Sequence, residues 1–395
     1  MILSDVCEFI VDCPHSTAPD EGEGYPLIRT PNVGKGRLDL NGVHRVSESV
    51  YKQRIQRGAP RANDLIFARE APAGNVALVQ ENQTVCLGQR TVLIRPNVQK
   101  VNPQYLVYYL LSPKPQYELL GTANGATVAH VNLPAIRNLK IELPEKSVQD
   151  KIGTILVTYD DLIENNQKQI KLLEEAAQRL YKEWFVDLRF PGHENTKIVD
   201  GVPEGWSKST VSEVSAVLRR GISPKYNEKA RGIVINQKCI RQTIVSYDEA
   251  RTQEKKYPAE LEMMESDIVI CSTGTGTLGR VGQIFEAKEN VTLDSHVTLI
   301  RANEKIGQQS LFWSLKMKQD YLMNAGKGST NQLELSRETI GNCKILMPEQ
   351  KIAEQAEKNF VAIHNKMKEC SMQIARLREV RDLLLPKLMS GGMEV

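Results

Sequence analysis

The chain repeats itself. Val148, Ile152, Leu156, Tyr159, Ile163, Ile170, Leu173, Leu180 and Trp184 recur as Ile352, Ala356, Phe360, Ile363, Met367, Ile374, Leu377, Leu384 and Leu388. The offset is constant at about 204 residues, so period and register are both shared. A chain carrying this duplication must fold as domain then long helix, twice over, and so offers two readers to one extended partner.

The stretches before each helix repeat more loosely. Asp64-Leu65-Ile66-Phe67-Ala68-Arg69, Gly74-Asn75-Val76, Leu93-Ile94-Arg95, Gly125-Ala126-Thr127 and Lys140-Ile141-Glu142-Leu143-Pro144 appear in that order. Copy two answers with Asp267-Ile268-Val269-Ile270-Cys271-Ser272, Gly279-Arg280-Val281, Leu299-Ile300-Arg301, Gly328-Ser329-Thr330 and Lys344-Ile345-Leu346-Met347-Pro348. Leu3-Ser4-Asp5-Val6 likewise aligns with Val211-Ser212-Glu213-Val214. Copies that keep a fold while changing a binding surface drift in this way.

Both helical segments follow a proline and span 145 to 186 and 349 to 389. At ~1.5 Å per residue each is roughly 60 Å long. From Ile163 the apolar spacing is 4-3, with Lys168, Glu174, Glu175, Arg179 and Lys182 outside the seam, which is coiled-coil patterning. Asn166, with Cys370 as its counterpart, interrupts the seam either as a tolerated polar residue or as a register-setting one. Parallel pairing would send the linker back along a whole helix, using nearly all of the ~18 residues between Asp187 and Gly205 at ~3.3 Å each. Antiparallel pairing needs no such return, and sets one domain at each end of a rigid rod with an approximate two-fold axis.

At 395 residues and 41% hydrophobic content, the chain has room for two ordinary domains with real cores besides the helices. The seven cysteines form no CxxC pair and no metal-ligand spacing with the six histidines, so reduced thiols and no structural metal are expected. Neither a leader pattern nor an apolar run of the ~18 to 20 residues needed for a span is visible, which predicts a soluble, cytoplasmic protein. A net charge of +3 does not by itself nominate nucleic acid. Local clusters say more: Arg29, Asn32, Lys35 and Arg37 in copy one, and Arg219, Arg220, Lys225, Asn236, Gln237, Lys238 and Arg241 in copy two, are donor-rich loops suited to phosphates and base edges. A solvated charged loop has the same composition.

Gly274-Thr275-Gly276-Thr277-Leu278-Gly279 has the GxGxxG form, but Arg280-Val281-Gly282-Gln283-Ile284 alternates like a strand where a dinucleotide site needs a helix. A β-hairpin loop is expected, its tip able to approach a DNA backbone with Ser272, Thr273, Thr275 and Arg280 in this copy and Arg69 in the other. His130 and His296 fall at different points of the repeats and read as ordinary loop or core histidines. No arrangement of Ser, Cys and His, no HExxH and no P-loop suggests catalysis.

Leu180-Tyr181-Lys182-Glu183-Trp184-Phe185-Val186-Asp187-Leu188-Arg189-Phe190-Pro191-Gly192 closes the first helix, and Val202-Pro203-Glu204-Gly205-Trp206 opens the second domain. These strings, with Asn236-Gln237-Lys238-Cys239-Ile240, resemble the specificity subunit of type I restriction-modification enzymes over the whole chain. The resemblance implies an α/β (α+β) fold. Two target-recognition domains with small mixed sheets, 1 to 144 and 206 to 348, would be joined by helices 145 to 189 and 349 to 395 and a linker 190 to 205, forming an antiparallel coiled coil with a pseudo-two-fold internal repeat. It implies a non-catalytic reader of a bipartite double-stranded DNA site, with methylation subunits, two of them, and motor-endonuclease subunits as partners. No cofactor is expected on this chain. S-adenosylmethionine, ATP and Mg²⁺ belong to the partners in that scheme.

On chemistry, the candidate DNA contacts are Arg29, Asn32, Lys35, Arg37, Arg69, Arg220, Lys225, Asn236, Lys238 and Ser272, and the candidate seam is Ile163, Ile170, Leu173, Leu180, Trp184, Ile363, Met367, Ile374, Leu377 and Leu384. A coiled-coil scaffold that joins proteins without touching DNA is the competing reading. It leaves unexplained why the domains drift while the helices hold their pattern, and a nucleotide enzyme built on the glycine loop ranks behind it.

Overall fold

A computed structural model of the chain describes residues 1–121, 130–326 and 333–395. The matched triplets Gly125-Ala126-Thr127 and Gly328-Ser329-Thr330 lie outside the described residues. The chain divides into two compact units, Met1–Asn166 with Gln373–Val395, and Gln167–Met372.

The first unit is built on β1 (Cys7–Asp12), β2 (Leu65–Ala68), β3 (Val76–Leu78) and β4 (Thr91–Pro96), in the order β1-β4-β2-β3 with the short strand Gly36–Arg37 added in parallel at the edge. Leu65 and Phe67 face one core and Ile66 and Ala68 the other, as the two-residue strand period requires. One face is covered by helices, including α1 (Pro103–Leu111), and the other by loops that lead to a small mixed sheet of Arg45–Val46, Tyr25–Ile28 and Cys86–Leu87.

The second unit repeats this plan. Strands β5 (Ser215–Arg220), β6 (Ile268–Cys271), β7 (Val281–Gln283) and β8 (Val297–Ala302) pair in the order β5-β8-β6-β7. Their small mixed sheet consists of Arg251–Gln253, Gly232–Ile235 and Val291–Leu293. Even the irregularities recur: the register slips between Cys7 and Phe9 in β1 and between Ser215 and Val217 in β5. Leu3–Val6 and Ser212–Val214 both form short 3-10 turns ahead of these strands. The GxGxxG string is the loop of the β6–β7 hairpin, with no helix after it.

Long helices α2 (Lys146–Tyr181) and α4 (Gln350–Met389) follow Pro144 and Pro348, and a π-helical turn Lys182–Val186 closes the first. Within the first unit, the start of α2 meets the end of α4: Ile152 and Leu156 share a core with Leu388, flanked by Leu384 and Leu385. Within the second, the end of α2 meets the start of α4, where Ala177, Tyr181 and Trp184 join Ile352, Ala356 and Phe360. Start against end, in both units, is antiparallel pairing. Of the candidate seam, Ile163, Trp184, Met367 and Ile374 are buried, and Ile170, Leu173, Leu180, Ile363, Leu377 and Leu384 are half-buried. The Asn166 amide donates to Leu162 O one turn back on its own helix at 2.9 Å, so the buried polar group is satisfied locally.

The two copies cap the helix beneath each sheet by complementary means. In the first, Asn102 precedes α1 and accepts from Tyr105 N at 3.0 Å, while Gly153 of α2 leaves room: a Cβ there would sit 2.9 Å from that same nitrogen. In the second, Gly307 precedes α3 (Gln308–Lys316), and Glu357 of α4 supplies the acceptor, taking Gln309 N at 3.0 Å and Ser310 N at 2.8 Å. In the expected linker, 190 to 205, most residues from 191 onward are exposed, while Phe190 and Pro203 are buried. Phe190 and Trp206 are buried with ring centroids 4.5 Å apart. Among the described residues, no helix is long and apolar enough to cross a membrane, and all seven cysteines are unpaired, six of them buried.

Candidate nucleic-acid interface

Each candidate DNA contact sits at a strand end or in a loop, but several are committed to the fold. Asn32 is 7% exposed; its Oδ1 accepts from Arg29 N at 3.1 Å and its Nδ2 donates to Asp39 O at 3.2 Å, which ties the turn together. Ser272 is fully buried at the end of β6 and shares a 2.6 Å hydrogen bond with Thr298. Neither faces solvent, so the expectation that these two touch DNA is corrected here: small polar side chains at these positions satisfy buried backbone and hydroxyl groups.

Arg69 and Arg220 are anchors as well. Arg69 donates to Asp12 at 2.9 Å, to Val131 O at 2.8 Å and to His130 Nε2 at 2.7 Å, holding the chain as it enters residue 130. The other ring nitrogen of His130, Nδ1, faces Glu70 Oε1. Arg220 grips the corresponding place in the second unit, donating to Leu335 O at 3.0 Å and pairing with Glu334 at 2.6 Å. The two arginines do one task from different strands. Arg37 pairs with Asp161 of α2, which fixes its loop to the long helix, and Lys225 pairs with Glu254.

Four of the candidates remain open toward solvent or free of acidic partners. Lys35 and Lys238 are exposed, and no hydrogen bond or ion pair to a described residue engages either ammonium group. Arg29 is half-buried, and its guanidinium makes no hydrogen bond or ion pair to a described residue; its Nε is buried without a partner. Asn236 caps the turn Gln237–Cys239 through Lys238 N at 2.8 Å and donates to Glu249 O at 2.7 Å. Arg280, expected at the hairpin tip but not among the ten candidates, precedes the outgoing strand of the β6–β7 hairpin, and its guanidinium likewise makes no hydrogen bond or ion pair to a described residue. Gln237, His296 and Thr273, also outside the ten candidates, come together there. Gln237 donates to Thr273 O at 2.8 Å, and the Thr273 hydroxyl meets His296 Nδ1 at 2.7 Å, next to the glycine loop. Their signal was their place at a strand end, which only pairing reveals.

The arrangement is a pair of small mixed-sheet domains with donor-rich strand ends, each standing on a long helix, a duplicated architecture with its own set of donors in each unit. The family model for the type I restriction modification DNA specificity domain matches it twice, at residues 1–175 and 203–368, and the chain belongs to that family. It is 27% identical over 374 residues to the specificity subunit of the type I restriction enzyme MjaIX from Methanocaldococcus jannaschii, covering 90% of this chain and 83% of that one. The specificity subunit of the HindI enzyme from Haemophilus influenzae is 24% identical over 410 residues, covering 84% and 87%. Among solved structures, the S subunit of a type I restriction-modification system from M. genitalium shares the fold, with a TM-score of 0.59 over 98% of this chain and 95% of that one at 16% identity.

Proposed function

We propose that this chain is the sequence-reading subunit of a type I restriction-modification complex, in which each unit reads one half of a bipartite DNA site. The observation that carries the reading is the duplication itself: two domains on one backbone plan, both matched by the DNA specificity model, with side chains that differ between them. Two different readers on one chain specify two half-sites, and helices of fixed length set the gap between them, as half-site spacing requires.

The chain carries no methylation or cleavage chemistry in this scheme. Methylation subunits, two of them, bring S-adenosylmethionine, and motor-endonuclease subunits bring ATP and Mg²⁺, all in the cytoplasm. Apolar side chains left exposed on both long helices, Leu162 and Leu172 on α2 and Val380 and Leu383 on α4, are surface for the methylation subunits to cover. The test is to co-express the chain with the methylation subunit encoded beside it and map modified adenines in the host DNA. Methylation at a split motif with a fixed gap supports the reading, whereas copurification without sequence-specific methylation replaces it with a protein scaffold.

A further inference from the structure

Backbone hydrogen bonds align the two units residue by residue at one end of the main sheet. Arg69 N donates to Arg90 O in the first unit and Ser272 N to His296 O in the second. Gly88 N donates to Ile28 O and Asp294 N to Ile235 O; Ala68 N donates to Asn75 O and Cys271 N to Arg280 O. These pairs make Arg29 the counterpart of Asn236, and Asn75 the counterpart of Arg280. The frame is common to both units, and the chemistry on it is exchanged.

At the other end of the sheet one ion pair is kept in both units, although Leu78 opposite Leu65 is answered by Gln283 opposite Ile268. Arg95 Nε and Nη2 reach Asp64 Oδ1 and Oδ2 at 2.8 and 2.7 Å, and Arg301 Nε and Nη2 reach Asp267 Oδ1 and Oδ2 at 2.6 and 2.8 Å. The same bidentate pair, in the same geometry, holds both copies there. The donors at one end of the frame thus differ between the units while this ion pair is kept at the other. Two domains that read unlike half-sites with one fold need that distribution.

Within the differing end, Arg29 and Arg280 stand apart from Arg69, Arg90 and Arg220. Those three are each paired with a carboxylate, while the Arg29 and Arg280 guanidinium groups make no hydrogen bond or ion pair to a described residue. Their asparagine counterparts are occupied: Asn75 donates to Val33 O at 2.8 Å, and Asn236 to Glu249 O. Each unit thus presents one free guanidinium and one structural amide at the same two positions, in opposite order. We infer that Arg29 reads a base in one half-site and Arg280 reads a base in the other, each through the planar fork that matches the O6 and N7 acceptors of guanine in the major groove. The two half-sites are read from different corners of the same frame.

This inference rests on the bipartite reading above, and the experiment separates the two. Complexes of the full chain with its methylation subunits are prepared with Arg29→Ala, Arg29→Lys, Arg280→Ala and Arg280→Lys, and their methylated adenines are mapped beside the parent. Lysine keeps the charge and most of the stem but loses the fork, and it decides the matter should the alanine forms prove unstable. Expected is a fall in base preference of about 5- to 150-fold at one or more positions of a single half-site, with the other half and the gap unchanged, in both variants of each arginine. The Arg29 and Arg280 variants should affect opposite halves. A motif left intact in all four variants, or lysine variants that keep the parent's preference, overturns the base-reading roles. A parent complex without a split motif overturns the underlying reading instead.

Discussion

Arg381, near the end of α4, donates to Asp160 Oδ1 on α2 at 2.5 Å, and Tyr108 donates to the other oxygen of the same carboxylate at 2.5 Å. The Asp160 side chain is 2% exposed, so helix pairing and attachment of the helices to the first domain pass through one buried carboxylate. Burial and that carboxylate push the Tyr108 hydroxyl far above its ordinary range.

Removing Arg381 should leave Asp160 buried with one neutral donor. Arg381→Ala is expected to cost roughly 3 to 5 kcal/mol in denaturant unfolding, whereas pairing Arg381→Met with Asp160→Asn should recover most of that loss. Equal destabilisation by the single and double changes would show that the ion pair is not what couples these elements.

The two helix caps predict opposite sensitivities at equivalent places on the long helices. Glu357→Ala removes the acceptor for Gln309 N and Ser310 N and should cost about 1 to 2 kcal/mol. At the matching position in the first unit the damage comes from adding atoms: Gly153→Ala places a Cβ against Tyr105 N and should cost about 1 to 3 kcal/mol. Chemical denaturation reads both, and a neutral Gly153→Ala would show that the backbone there has room to move.

His364 is buried against Phe285, its Nδ1 is 3.1 Å from Gln283 Oε1 and its Nε2 has no partner. Burial depresses its pKa from 6.5 to about 4, with Lys368 acting in the same direction and Glu265 against it. The unfolded chain therefore binds a proton near pH 6.5 that the folded chain refuses until about pH 4. Stability is complete above that window and falls as the pH drops through it, at up to roughly 1.4 kcal/mol per pH unit from this group. Melting curves of the parent and His364→Phe between about pH 7.5 and about pH 4.5 should show the variant gaining ground toward acid. Parallel curves would remove His364 from the acid response.

Lys35 and Lys238, exposed and unpaired, are expected to contact phosphates. Lys35→Ala or Lys238→Ala should weaken binding of the assembled complex uniformly across DNA sequences and lower the salt slope by about 1. Titrations at several salt concentrations check this, and an unchanged slope would place both lysines away from the duplex.

The helices were legible because a seam repeated at a constant offset leaves few alternatives, and Pro144 and Pro348 mark where each begins. Antiparallel pairing followed from the short connection between them. The strand ends were harder to read. Asn32 and Ser272 have the residue types of a DNA contact, yet short polar side chains serve equally well to satisfy buried groups, and burial is not written in residue type. Arg69 and Arg220 lie at the ends of different strands, so a linear alignment could not show that both clamp the chain near residues 130 and 334. Arg280 was legible as a hairpin-tip donor, but only its pairing with Cys271 made it the counterpart of Asn75.

The paired caps also bear on how such a chain can be rearranged. A first domain grafted onto the second long helix would bring Asn102 up against Glu357, two acceptors competing for one helix end, and the reciprocal graft would set Gly307 against Gly153 with no acceptor at all. Exchange of reading heads between copies is therefore unlike exchange of beads on a string: the opening turns of each helix must travel with their own domain.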